Sequence, residues 1–332
     1  MAVLYVTSSE GAVGKTALCA GIGKHLLDNG RKVGFLKPTL PDKATDGDAA
    51  FMKHILALEE PIDSIYPVIT DQDDMESSIK QACDRVSPGK DVIIVEGMGE
   101  QGTGESLQKV VEILEAKVII VEAYPRELAK AIDSYKNFGE CLLGIVLNKV
   151  PVSQLKRVQD ELSAQLGEAG IDILGVLPED RILFTLTVGD LAEHLQGKIL
   201  NSAEKSAELV ENIMLGAMTV DPGPEYFGRR SNKAVVVRGE RPDMQMAALE
   251  TSTRCLVLSG DVAPIPAVLH RAEDKKVPII LTKEDVVSTV TIIEEALGKV
   301  RFNQEKKLTG LTEIMGRHFD FQAVYQGLGL TK

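Results

Sequence analysis

The sequence predicts an α/β protein: a parallel sheet covered by helices, followed by a second, smaller α/β domain. Three observations predict it. Short, continuous aliphatic runs alternate with amphipathic stretches through the first half. A Gly-Lys-Thr loop joins the first run to the first amphipathic stretch. The alternation then restarts on a smaller scale beyond the turn-rich break Asp221-Pro222-Gly223-Pro224.

The aliphatic runs lie at 3–7, 33–37, 91–95, 118–122, 143–148 and 173–176. They do not alternate apolar with polar, which is the signature of strands buried on both faces. Helical patterns at 15–29, 106–116, 126–138 and 153–169 lie between them, and Gly30 and Gly170 stand where C-terminal helix caps belong. Strand and helix in alternation imply a parallel sheet. From 190 to 215 the pattern reads as purely helical and more polar, which places the domain boundary near residue 205, dividing 1–204 from 205–332. In the second part strands are expected at 234–237, 255–258 and 278–281. Helices are expected there at 244–251, 265–274, 286–297, 306–317 and 321–327.

The counts agree with two domains. The chain has 332 residues, which at about 150 per domain is about two. Its 37 basic and 49 acidic residues leave a charge of −12, which disfavours a duplex nucleic acid as partner. The apolar fraction of 44% argues against disorder, and with no tryptophan and 4% aromatics the core must be aliphatic. No apolar run approaches the ~18 residues that span a bilayer, and residues 1–8 do not read as a signal peptide. Cys19, Cys83, Cys141 and Cys255 make no Cys-x-x-Cys pair, so reduced thiols in a cytoplasmic protein are expected. The five histidines form no metal-binding pattern.

The strongest motif is Ser9-Glu10-Gly11-Ala12-Val13-Gly14-Lys15-Thr16, continued by Ala17. It follows a strand and opens a helix, the context a phosphate-binding P-loop requires. Gly14 lets the backbone wrap around phosphate oxygens, and the helix N-terminus directs free N–H groups and its dipole at the anion. Lys15 supplies charge to the β and γ phosphates, and the Thr16 hydroxyl suits Mg²⁺. Ser9 stands where the general motif has its first glycine.

Such a loop needs an acidic partner for its metal at the end of another strand. Glu96 closes the run 91–95 and is followed by Gly97-Met98-Gly99. Asp48, in Asp46-Gly47-Asp48-Ala49, is a second candidate that reads equally well as a helix N-cap. Leu147-Asn148-Lys149 ends another strand. An amide there can pair with a nucleobase, or Asn148 can simply end the strand. Pro151 stands where a guanine reader would carry a carboxylate, which favours adenine.

With these residues in place, residues 1–200 resemble the dethiobiotin synthetase family of P-loop proteins. The matching pieces are Val6-Thr7, Val13-Gly14-Lys15-Thr16, Gly34-Phe35-Leu36-Lys37-Pro38, Asp48-Ala49, Val95-Glu96-Gly97-Met98-Gly99 and Leu147-Asn148. The resemblance implies that Thr16, Asp48 and Glu96 bind Mg²⁺ and that Lys37 handles substrate or developing carboxylate charge. It also implies that Asn148 reads adenine, with Pro178 beside the base. Ser8 departs from the family's leading glycine, and Thr39-Leu40-Pro41-Asp42 replaces its serine-rich stretch. That second change argues against the diamine of biotin synthesis as the substrate.

The second part resembles the DRTGG domain, found beside such P-loop domains in the N-terminal part of some phosphotransacetylases. The match runs through Gly239-Glu240-Arg241-Pro242-Asp243, Leu256 to Asp261 and Val277-Pro278-Ile279. Glu240, Ser259 and Asp261 depart from the naming residues. In itself, Arg241 is either an anion ligand or a loop arginine paired to an acidic neighbour. Relatives of this domain imply a homodimer.

Two functions follow. The first is an ATP- and Mg²⁺-dependent protein that hydrolyses ATP or activates a small carboxylate or carbamate by phosphoryl transfer, with Lys15 and Lys37 as the catalytic pair. The second is a non-catalytic adenine-nucleotide sensor that regulates a partner enzyme such as a phosphotransacetylase. Both take a small molecule as ligand, and neither involves a nucleic acid or a membrane.

Overall fold

A computed structural model describes residues 1–40, 48–70, 75–98, 105–125, 128–216, 223–298, 300, 302 and 304–330. Asp46, Gly47, Gly99, Arg126 and the start of the predicted break, Asp221-Pro222, lie outside the described residues. The chain divides into two compact units, Met1–Leu183 with Arg301–Lys332, and Phe184–Val300.

In the first unit β1 (Ala2–Thr7), β2 (Val33–Leu36), β3 (Val92–Glu96), β4 (Lys117–Ala123), β5 (Leu142–Val150) and β6 (Ile173–Pro178) form one parallel sheet in the order β2-β3-β1-β4-β5-β6. Each predicted run is a strand, for the expected reason: Ile93, Ile94, Val95, Ile119, Ile120 and Val121 are all fully buried. Helix Lys15–Asp28 follows β1, and Gly30 ends it at φ +78°. The predicted helix 126–138 is instead a 3-10 turn, Leu128–Ala131, and a short helix, Ile132–Lys136. Helices Asp48–Ile55, Ile62–Ile65 and Met75–Val86 were not expected. Among the described residues no helix is long and apolar enough to cross a membrane, and the four cysteines are free.

The second unit holds β7 (Leu186–Thr187), β8 (Lys198–Ile199), β9 (Leu209–Val210), β10 (Asn212–Leu215), β11 (Lys233–Arg238), β12 (Thr253–Ser259) and β13 (Ile279–Leu281). Its larger sheet runs β10-β11-β12-β13-β8, parallel except for β8, and β7 pairs with β9. Alternate residues feed two cores. Val235, Val237, Leu256 and Leu258 enter one, and Ala234, Val236, Cys255 and Val257 the other. That two-sided burial follows from the period of two along a strand.

Two expectations are corrected. The stretch 190–215 is not purely helical. After helix Val188–His194 it carries β8, β9 and β10, strands of only two to four residues, too short to print a period on the sequence. The division is also not at residue 205. It falls at 183/184, and the chain returns to the first unit at 301. Helix Glu305–His318 packs on helix Lys15–Asp28, where Met315 lies so close to Gly21 that a Cβ there would be 2.2 Å from its sulfur. Phe319 bridges Gly175 on β6, the Asp320 N–H donates to the Leu174 carbonyl at 2.7 Å, and Phe321 stacks on His25. A helical period reveals which face is apolar but not which sheet it covers.

Replacing the fully buried Met315 by alanine should therefore lower the stability of the first unit by about 2–5 kcal/mol in urea unfolding, although the residue sits in sequence beyond the second. In the second unit the fully buried Lys233 donates to the Thr251 hydroxyl and the Ser252 carbonyl, both at 2.9 Å, and burial pushes its pKa from 10.5 down to about 8. Between those two values the unfolded chain binds more protons, so this group makes stability rise with pH there. Urea midpoints measured at pH values on either side of that window should show the rise, and Lys233→Met should lack it.

Candidate functional site

The C-terminal ends of β1, β3 and β4 lie side by side, with β1 in the centre. The loop that leaves β1 therefore has a strand end on each side. Such an edge is where open α/β sheets bind ligands. Gly14 enters the helix at φ +104°, and a Cβ there would lie 2.4 Å from the Asn148 amide nitrogen, so glycine is required twice over. Ala12 takes φ +56°, a left-handed conformation rare for a residue with a side chain.

The structure brings the predicted residues together. Lys15, buried, opens the helix and donates to Ser8 Oγ at 2.7 Å. Burial pushes its pKa down, and the Glu96 carboxylate pulls the other way. The Thr16 hydroxyl donates to Glu96 Oε1 at 2.7 Å. Lys37, one residue beyond β2, lies 3.3 Å from Glu96 Oε1, 3.7 Å from Asp48 Oδ2 and 3.5 Å from Thr16 Oγ1. Asp48 is buried and begins helix Asp48–Ile55. Gly11 and Ala12 are exposed, Val13 is buried, and Ala17 is the third residue of helix Lys15–Asp28.

Asn148 lies against the loop. Its Nδ2 donates to the Val13 carbonyl at 2.9 Å and its Oδ1 accepts from the Lys149 N–H at 2.9 Å. Lys149 donates from Nζ to the Ala12 carbonyl at 2.7 Å. Pro178 ends β6 and pairs with Val150 of β5. Arg241, the candidate of the second unit, is held by Asp243 at 2.8 Å, the paired arrangement rather than an open cation.

The oxygen set fits a divalent cation of the Mg²⁺ kind. It offers one hydroxyl and two carboxylates, all hard donors, and Glu96 Oε2 is buried with no hydrogen-bond partner among the described residues. Among the described residues no three His, Cys, Asp or Glu side chains gather as a metal cage. The cation that suits so few protein ligands is one that keeps phosphate oxygens and waters in its shell.

Sequence reasoning missed Glu122, Tyr135 and the use of Ser8 and Ser9. Glu122 is fully buried on β4 and accepts from the Ser9 hydroxyl and, at 3.0 Å, from the Tyr135 hydroxyl. The signal was present: like Glu96, it is an acid closing an aliphatic run.

Residues 2–185 match the family described as an AAA domain, and residues 190–296 match the DRTGG domain. The chain belongs to the AAA domain family. This AAA-domain protein is 23% identical over 354 residues to the phosphate acetyltransferase of Nitrosomonas europaea, covering 96% of this chain and 50% of that protein. It is 23% identical over 371 residues to the phosphate acetyltransferase of Pseudomonas aeruginosa, covering 99% and 52%. The chain thus spans about half the length of these curated relatives. Among solved structures, MinD of Aquifex aeolicus aligns with TM-score 0.38 and 20% identity over 55% of this chain and 84% of that one. The matches carry the expected order: a dethiobiotin synthetase-like P-loop domain followed by a DRTGG domain, as in phosphotransacetylases.

Gly14→Ala tests the loop's geometry directly. A side chain at that φ, pressed on Asn148, should cost about 1–3 kcal/mol in urea unfolding of the first unit.

Proposed function

We propose that the AAA-domain unit binds ATP with Mg²⁺ and either hydrolyses it or passes its γ-phosphoryl group to a small carboxylate or carbamate. The observation that carries this reading is the meeting of Lys15, Thr16, Lys37, Asp48 and Glu96 at the end of β1. Gly11 to Ala17 would cradle the phosphates with the N–H groups that open helix Lys15–Asp28. Lys15 would exchange the Ser8 hydroxyl for a phosphate oxygen and stabilise charge on the transferred group. Thr16, Asp48 and Glu96 would hold Mg²⁺, which when bound neutralises charge on the β and γ oxygens. Lys37 would orient the acceptor while its neighbours hold the metal. The chemistry then rests on positioning and electrostatics. Asn148 retains one amide hydrogen and one carbonyl lone pair beyond the two bonds described, enough to read adenine beside Pro178.

The second reading is a nucleotide sensor for a partner enzyme such as a phosphotransacetylase. It is favoured by the match of this two-domain arrangement to about half the length of phosphate acetyltransferases. In either reading the DRTGG domain is regulatory or dimer-forming, the protein is a cytoplasmic homodimer, and the ligand is a small molecule.

ATP turnover decides between them. Lys15→Ala should lower it by about 10²-fold or more, and removing Mg²⁺ with a chelator should abolish it. Turnover that Lys15→Ala leaves unchanged would sink the loop as the catalytic centre. Mg-ATP binding with no turnover, across a panel of small carboxylates and amines, would select the sensor.

A further inference from the structure

We propose that Glu122 is a positioning residue for the nucleotide site, holding the first turn of the phosphate loop through the Ser9 hydroxyl. The proposal rests on the nucleotide reading above and assigns work to residues that reading does not use.

Glu122 stands in a strand whose preceding residues, Val118, Ile119, Ile120 and Val121, are all fully buried and aliphatic. An aliphatic residue would be the easier occupant. A buried carboxylate is costly unless hydrogen bonds satisfy it, and even then it rarely adds net stability. Here two hydroxyls converge on one oxygen, that of Ser9 from the loop and that of Tyr135 from helix Ile132–Lys136. Tyr135 is itself fully buried, so it fixes the carboxylate from the protein side, and the loop hydroxyl meets an acceptor that is already oriented.

The position of Ser9 gives this contact its meaning. The general loop motif has glycine there, and glycine has no group that could reach Glu122. The exchange replaces backbone freedom with a tether. The loop is held at other points as well. Ser8 Oγ donates to the Glu10 carbonyl at 2.6 Å, Asn148 donates to the Val13 carbonyl, and Lys149 donates to the Ala12 carbonyl. These tethers use carbonyls and hydroxyls, whereas an anion needs the loop's N–H groups. β4 therefore holds the start of the loop and β5 its middle, in a shape that a phosphate can enter without further ordering. A loop preorganised in this way binds more tightly because less conformational entropy is lost on binding.

The test is Mg-ATP binding by calorimetry on the full chain, with turnover measured in parallel. Ser9→Ala should weaken binding by about tenfold, the loss of one charge-assisted hydrogen bond, while the thermal midpoint stays close to that of the parent. Glu122→Gln keeps an acceptor oxygen and should retain binding within about threefold. Glu122→Leu should weaken binding as much as Ser9→Ala does, and the double variant should be no weaker than either single one. Should Glu122→Leu fail to fold, Ser9→Ala and Glu122→Gln still decide the matter. Ser9→Ala binding Mg-ATP as tightly as the parent overturns the proposal, as does Ser9→Ala and Glu122→Leu adding independently. A parent chain that binds no Mg-ATP overturns the nucleotide reading instead.

Discussion

The arrangement depends on two lysines held among three buried carboxylates at one sheet edge. Lys15 and Lys37 lie with Asp48, Glu96 and Glu122 around the loop that leaves β1. Burying an ammonium costs less beside opposite charge or hydrogen-bond acceptors, and burying a carboxylate costs less beside donors. The strand order supplies both. Because β1 lies between β3 and β4, Glu96 and Glu122 come to opposite sides of one loop, although they are far apart in sequence. The same order makes the runs of β1, β3 and β4 aliphatic, since each has a strand on both sides and helices above and below. Site and core therefore share a cause: the central place of β1.

The two acids do different work. Glu96 is tied to Thr16 and Lys37, groups that a phosphate and a cation would engage. Glu122 is tied to Ser9 and Tyr135, groups that shape the loop itself. One meets a hydroxyl and an ammonium at the start of a helix, and the other meets two side-chain hydroxyls. Lys37 links Asp48 to Glu96, so the carboxylates expected to hold a cation are already balanced by a fixed one.

Much of this was legible in the chain. Continuous aliphatic runs mark strands buried on both faces, and all six of the first sheet were readable for that reason. The loop and Glu96 stood out because phosphate-binding chemistry restricts residue type and place, Asp48 read equally as a helix N-cap, and Lys37 came only from the resemblance to the dethiobiotin synthetase family. Three things were not fully readable. Glu122 showed only as an acid closing an aliphatic run, and its partners come from residues 9 and 135, which only the fold brings near. The short strands β8, β9 and β10 have too few residues to display a period. The destination of helix Glu305–His318 depended on Gly21, whose missing side chain makes room for Met315 and leaves no mark in a hydropathy pattern. Asn148 was read as either a base-pairing amide or a simple strand end, and in the structure it braces Val13.

The return of the chain at residue 301 bears on the order of events during synthesis. The core of the first unit includes Phe302, Leu311, Met315 and Leu328 together with residues of β1 and helix Lys15–Asp28. A ribosome making this protein releases the loop and all six strands early, yet that core cannot close until residue 328 has emerged. The second unit, whose hydrophobic clusters among the described residues draw on 186–300, has those parts sooner. The unit that starts the chain is therefore the one whose residues are complete last. In the interval, helix Lys15–Asp28 and the edge strand β6 lack the cover that the last two helices bring.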